Sequence, residues 1–141
     1  KDALEGADAF IGLSKGNLLN AHDLKRMGKN SIVFAMANPT PEIMPDEAAK
    51  VAAIVGTGRS DFPNQINNSL SFPGVFRGTL DANAIRINNE MKIAAANALA
   101  SCISPTKESI LPYTLDRAVV PKVAEAVRKA AIESGAVRNL R

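Results

Sequence analysis

Residues 53–78 read AIVGTGRSDFPNQINNSLSFPGVFRG, and the reading of this stretch decides the fold. It opens on an apolar run, Ala53 to Val55, too short for a helix and followed by glycine, which is the pattern of a buried strand. The run breaks at Gly56 and Gly58, where a backbone can turn sharply or come close to a ligand. A dense polar loop follows (Arg59, Ser60, Asp61, Asn64, Gln65, Asn67, Asn68) before the chain turns apolar again at Phe72-Pro73-Gly74. Open α/β sheets place their ligands just past the C-terminal ends of their strands. A solvated surface loop has the same composition.

Working outward, Ala7 to Leu13 (ADAFIGL) and Ser31 to Ala37 (SIVFAMA) read as two further buried strands, the second stopped by Asn38-Pro39-Thr40-Pro41. Between them, Ala21 to Met27 has the spacing of a short helix, with Gly28 at the position of a left-handed C-cap. Pro45 opens another short helix, with Asp46 and Glu47 in its first turn, favourable to the helix dipole. Strand, helix, strand, helix, strand is a parallel α/β pattern. A complete doubly wound sheet takes about six strands in two halves, so the expectation is the second half of a Rossmann-like sheet.

Long helices follow. Asp81 is the expected N-cap of one helix from Ala82 to Ile103, with Ile87, Met91, Ala94, Ala95, Ala98 and Cys102 on a helical period. From Ile93 onward nearly every side is small or apolar, which predicts burial on more than one side. Ser104 to Leu115 reads as a loop. A last helix starts near Pro121, carries Val123, Val127, Ala130 and Ala131 on one face, and ends at Gly135.

The 141 residues suffice for one domain with a real core, and the composition, 46% hydrophobic and 22% charged, is globular. A net charge of +3, spread along the chain, makes neither nucleic acid nor a membrane surface an expected partner. The single Cys102 excludes an internal disulfide and fits a reducing, cytoplasmic setting. The chain begins at Lys1 rather than Met, so a fragment or a processed product is the expectation.

Several motifs carry less than they promise. Gly56-Thr57-Gly58-Arg59-Ser60-Asp61 begins like a phosphate-binding glycine loop, but Asp61 and Pro63 stand where the last glycine and a helix start are required. His22 has no histidine or cysteine partner for a metal and reads as a surface helix residue. Arg59 and Asp61 read as a salt bridge that orders the loop, and Cys102 as a core residue. Three asparagines remain. Asn38 ends the second strand, and Asn67 and Asn68 end the loop after the third. If those strands are neighbours, the amides converge at one sheet edge, able to donate to a carboxylate and accept from a ribose hydroxyl without adding charge. Asparagine also favours turns, and residue chemistry leaves the two readings level.

The chain resembles the C-terminal half of the nicotinamide-binding domain of malic enzymes, in particular the short prokaryotic type. The resemblance rests on ADAFIGLS (7–14), FAMANPTPEI (34–43), GTGRSDFPNQINN (56–68), FPGVFRGTLD (72–81) and NEMKIAAA (89–96), with a looser match over 120–135. It implies oxidation of malate with hydride transfer to NAD or NADP, then metal-assisted decarboxylation to pyruvate. It implies that Asn38 and Asn68 bind substrate, and that Asn38, Asn67, Gly12 and Ser14 lie along the cofactor. The family's tyrosine–lysine acid–base pair, its ligands for Mg or Mn and its glycine fingerprint are expected before Lys1. Residues 1–141 are thus expected to be a partial NAD(P)-binding domain with no catalytic and no metal-binding residue, inactive alone. Its partners would be malate or pyruvate, the missing N-terminal part of the enzyme, and further copies in a homo-oligomer. A free-standing dinucleotide-binding or assembly module without chemistry is the alternative, supported by the same lack of catalytic groups.

Overall fold

The computed structural model describes residues 2–138, which form two compact units. The first takes the chain as far as Ile66 together with Pro105–Ile110; the second takes Asn67–Ser104 and the chain from Leu111 onward.

The first unit is built on a parallel sheet of three strands in the order β1-β2-β3: β1 (Ala9–Gly12), β2 (Ile32–Ala35) and β3 (Ile54–Thr57). Gly12 pairs with Ala35, and Ala35 with Thr57, so the three C-terminal ends lie side by side. Two single helical turns make the crossovers, α1 (Ala21–Leu24) and α2 (Pro45–Ala48). A reciprocal capping box starts α1: Asp23 N–H donates to Asn20 Oδ1 (3.0 Å), and Asn20 N–H to Asp23 Oδ2 (3.1 Å). Pro45 needs no N–H at the first position of α2. The Glu47 carboxylate accepts from Ala21 N–H (2.7 Å), which ties the second turn to the first. Leu24, Val33, Ala35, Ile43 and Ala48 close an aliphatic core beneath the sheet.

The expected βαβαβ order is present, with shifted boundaries. The first helix stops at Leu24 rather than Met27, and Gly28 is not left-handed; its N–H instead donates to Ala7 O (2.9 Å). β3 runs through Gly56 instead of breaking there. Phe34 and Ile66 crowd the space where a Cβ would sit, so glycine at position 56 serves packing within the strand.

The second unit is helical. α3 (Phe72–Asp81), α4 (Asn89–Ala100) and α5 (Val119–Glu133) pack around Met91, Ala95, Val119, Val123, Val127 and Ala131. The single helix expected over 82–103 is therefore corrected: Phe72-Pro73-Gly74 opens a helix, and Asp81 is its last residue rather than an N-cap. The chain breaks at Asn83, in the left-handed region (φ 50°), and restarts at Asn88, whose Oδ1 accepts from Met91 N–H (3.1 Å). Nor is the second helix buried on several sides: Met91 and Ala95 are buried, while Ile93 is 61% exposed. Cys102 is half-buried at the edge of this core. Gly135 ends α5 as expected, and does so in the left-handed conformation (φ 66°).

Candidate functional site

The C-terminal ends of the three strands define the candidate site, and each end is held by a particular bond. β1 leaves the sheet through Gly12, Leu13 and Ser14. Its last rung runs from Met36 N–H to Gly12 O (3.0 Å). Ser14 N–H then turns to the Glu42 carboxylate (Oε1, 2.8 Å), leaving the Ser14 side chain exposed. β2 leaves through Met36 and Ala37 into the cis Asn38-Pro39 bond. Ala37 N–H donates to the other oxygen of Glu42 (Oε2, 3.0 Å). Glu42 itself is fully buried. Asn38 is exposed, and its side-chain amide makes no hydrogen bond among the described residues.

β3 leaves through Thr57 and Gly58. A Cβ added to Gly58 would lie 3.6 Å from both Asn38 Nδ2 and Met36 O, so the exits of β2 and β3 run close together. The loop then returns to its own strand: Ile66 N–H donates to Thr57 O (2.7 Å), and Thr57 N–H to Asn64 O (3.3 Å). Asn64 fastens the return. It is buried and left-handed (φ 57°), its Nδ2 donates to Val55 O (2.9 Å) and Lys107 O (2.6 Å), and its Oδ1 accepts from Ile110 N–H (2.9 Å). The excursion is stiffened by Arg59, which forms the expected ion pair with Asp61 (2.6 Å) and stacks its guanidinium over Phe62 (5.3 Å). The hydrogen bond from Arg59 holds the Asp61 carboxyl below the usual carboxylate range.

Asn67 and Asn68 open the second unit. Asn67 Oδ1 accepts from Ser69 N–H (3.0 Å) and starts a 3-10 turn over Asn68–Leu70. The Asn68 side chain is exposed and makes no hydrogen bond among the described residues.

Of the residues singled out from sequence, Gly12, Ser14 and Asn38 stand together at adjacent strand ends of the first unit, and Asn67 and Asn68 belong to the second. His22 is exposed in α1. Two residues that hold this geometry, Glu42 and Asn64, have no role assigned from the sequence. Glu42 had a signal: it is the one acidic residue between Ser31 and Met44, a stretch otherwise apolar, amide or proline-rich. Asn64 had only its place after Pro63, which reads as an ordinary turn. Among the described residues, no group of three or more His, Cys, Asp or Glu side chains is placed to hold a metal ion, and no helix is long and apolar enough to cross a membrane.

Residues 6–132 match the family described as "Malic enzyme, NAD binding domain". The chain is 53% identical over 142 aligned positions to the bifunctional malic/malolactic enzyme of Bacillus subtilis, covering 98% of this chain and 35% of that protein. It is 49% identical to the NAD-dependent malic enzyme of Geobacillus stearothermophilus, covering 98% of this chain and 30% of that one. Its fold superposes on the crystal structure of malic enzyme from Pyrococcus horikoshii with a TM-score of 0.94 at 44% identity, over 99% of this chain and 33% of the other. The chain thus spans about a third of the length of these relatives. A match over most of its residues, with the parallel sheet and its ordered strand ends, places the chain in the malic enzyme NAD-binding domain family.

Proposed function

We propose that this chain is the distal half of the dinucleotide domain of an NAD(P)-dependent malic enzyme. That enzyme oxidises malate at its hydroxyl-bearing carbon, passes the hydride to the nicotinamide, and releases CO2 to leave pyruvate. The observation that carries the reading is the family match over residues 6–132. The strand ends supply its chemistry. Gly12 and Ser14 at the end of β1, and Asn38 at the end of β2, offer a backbone without side-chain bulk, a hydroxyl and an uncharged amide. That donor set suits a ribose and a carboxamide. Gly12, Ser14 and Asn38 would hold and orient the nicotinamide end of the cofactor, which would supply the hydride acceptor.

In this reading Asn38 and Asn68 bind malate, while Asn38, Asn67, Gly12 and Ser14 contact the cofactor. The acid–base pair and the ligands of a Mg or Mn ion come from parts of the enzyme outside these 141 residues, which are inactive alone. Ile11 in β1 and Leu13 just past its end are 63% and 75% exposed. Apolar residues at that level fit a chain that functions against the rest of its enzyme and in a homo-oligomer. The lone cysteine fits a cytoplasmic setting.

The test is malate-dependent reduction of NAD or NADP by the complete enzyme with Mg²⁺ or Mn²⁺, beside the isolated 141 residues. Turnover by the complete enzyme alone is expected. Dinucleotide binding without turnover in the complete protein overturns the reading in favour of a non-catalytic module.

A further inference from the structure

The exits of β1 and β2 are separated by a buried carboxylate, for which the proposed activity has not yet supplied a use. In a parallel ladder the rung after Met36 N–H to Gly12 O runs from Ser14 N–H to Met36 O. That rung is absent: Ser14 N–H goes to Glu42 Oε1 (2.8 Å), and Ala37 N–H, from the neighbouring strand end, goes to Glu42 Oε2 (3.0 Å). The Glu42 backbone is itself fixed, its carbonyl accepting from Leu19 N–H (2.9 Å). The carboxylate is thus a wedge, with one oxygen on each strand end.

Gly12 completes the device. A Cβ at position 12 would lie 2.5 Å from Glu42 Cδ and 2.7 Å from Oε1, so the wedge seats only where position 12 has no side chain. This gives Gly12 a steric reason to be glycine that is independent of any ligand. A fully buried carboxylate is a costly way to gain stability, because apolar packing of the same volume is often as good or better. What the carboxylate does that an apolar side chain cannot is capture two backbone N–H groups at a fixed separation.

We propose that Glu42 is a positioning residue: it holds the ends of β1 and β2 apart and thereby sets the distance between Gly12–Ser14 and Asn38. The inference rests on the dinucleotide reading of those strand ends.

The experiment uses the complete enzyme. Glu42→Gln replaces one acceptor with a donor, which faces a backbone N–H. Glu42→Asp keeps both acceptors but is one methylene too short to reach both partners. Misplacing a positioning group by about 1 Å costs up to about 100-fold, so KM for the dinucleotide is expected to rise by about 10-fold or more in both variants, with a smaller change in kcat. Lower thermal stability with both KM values unchanged would mean a purely structural role and overturn the proposal. Hydrogen exchange on the wild-type enzyme tests the geometry even if neither variant folds. The Ser14 amide, in an exposed residue, is expected to be protected; free exchange there overturns the wedge. Wild-type enzyme that fails to reduce the dinucleotide defeats the underlying reading, whereas active wild type with kinetically silent variants defeats only the role of Glu42.

Discussion

Gly78 lies against the backbone carbonyl of Ala124, with no room between them for a methyl group. One turn earlier on α3, a Cβ at Gly74 would meet Val123 Cβ at 2.6 Å. Two glycines four residues apart therefore let α3 approach α5 at backbone distance. Gly78→Ala forces the helices apart and is expected to destabilise the second unit by about 1–3 kcal/mol, the usual cost of overpacking, although alanine is the better helix former. Thermal melts of the enzyme decide this. An unchanged or raised Tm would show that the two helices separate at no cost.

Asn64 should matter more than a turn residue does. Asn64→Ala removes three hydrogen bonds, to Val55, Lys107 and Ile110, and places alanine at a left-handed φ of 57°. A loss of about 3 kcal/mol or more is expected. Asn64→Gly relieves the backbone strain but restores no bond, so it should recover only about 1 kcal/mol. Hydrogen exchange should quicken at Ile110 in both variants, and unaltered exchange there would show that the loop is held by other contacts.

The asparagine pair should divide its labour. Asn67 spends its side-chain oxygen on the cap of the turn over 68–70, so Asn67→Ala is expected to cost about 1 kcal/mol of stability. Asn38 and Asn68 have exposed amides, and replacing either with Ala in the complete enzyme should lower kcat/KM for malate by about 10- to 150-fold with little change in Tm. Asn68→Asp sets a carboxylate against a dicarboxylate and should be worse than Asn68→Ala. Equal kcat/KM in wild type and both Asn68 variants removes Asn68 from the substrate site.

The Arg59–Asp61 pair predicts a pH dependence of known sign. The hydrogen bond from Arg59 lowers the Asp61 pKa in the folded state. Its stabilising effect is therefore complete above the unfolded carboxylate pKa and is lost as pH falls through the lower, folded value. Loop order, read as hydrogen exchange over 58–63, should be level from about pH 5 to 8 and fall only below about pH 4. Asp61 is exposed and Arg59 half-buried at the surface, so the effect should be small and weakened by salt. Asp61→Asn should abolish the acid step; its persistence would assign that step to another carboxylate.

The sheet was legible in the sequence because each strand is an apolar run ending near a glycine or proline: Gly12 at the end of β1, Pro39 beyond β2, Gly58 after β3. The helical unit is not legible from local rules, because packing between its helices decides it. Pro73, Gly74 and Gly78 argue against a helix one by one. Yet the proline sits in the first turn, where no donor is missed, and both glycines face α5. The break between α3 and α4 falls in Ala82–Asn88, where the cue was Asn83 and Asn88 rather than Gly or Pro. Glu42 stands out as a lone acidic residue, but its role is not legible, for another reason. Its two partners are backbone amides 28 and 5 residues away, and a backbone amide leaves no mark in composition or spacing.

The short segment Pro105–Ile110 belongs to the first unit although the chain on both sides of it belongs to the second. Its anchor on Asn64 spans 46 residues, a span that includes all of α3 and α4. This contact order has a kinetic consequence. As the chain is synthesised, β1, β2 and β3 are available early, but the loop after β3 stays unlatched until residue 110 has emerged and the intervening loop has closed. Closing a loop of that length carries an entropic cost that must be met before the contact gives anything back. The nascent chain should therefore pass through a stage in which the sheet exists and the Gly58–Asn64 excursion does not yet hold its shape.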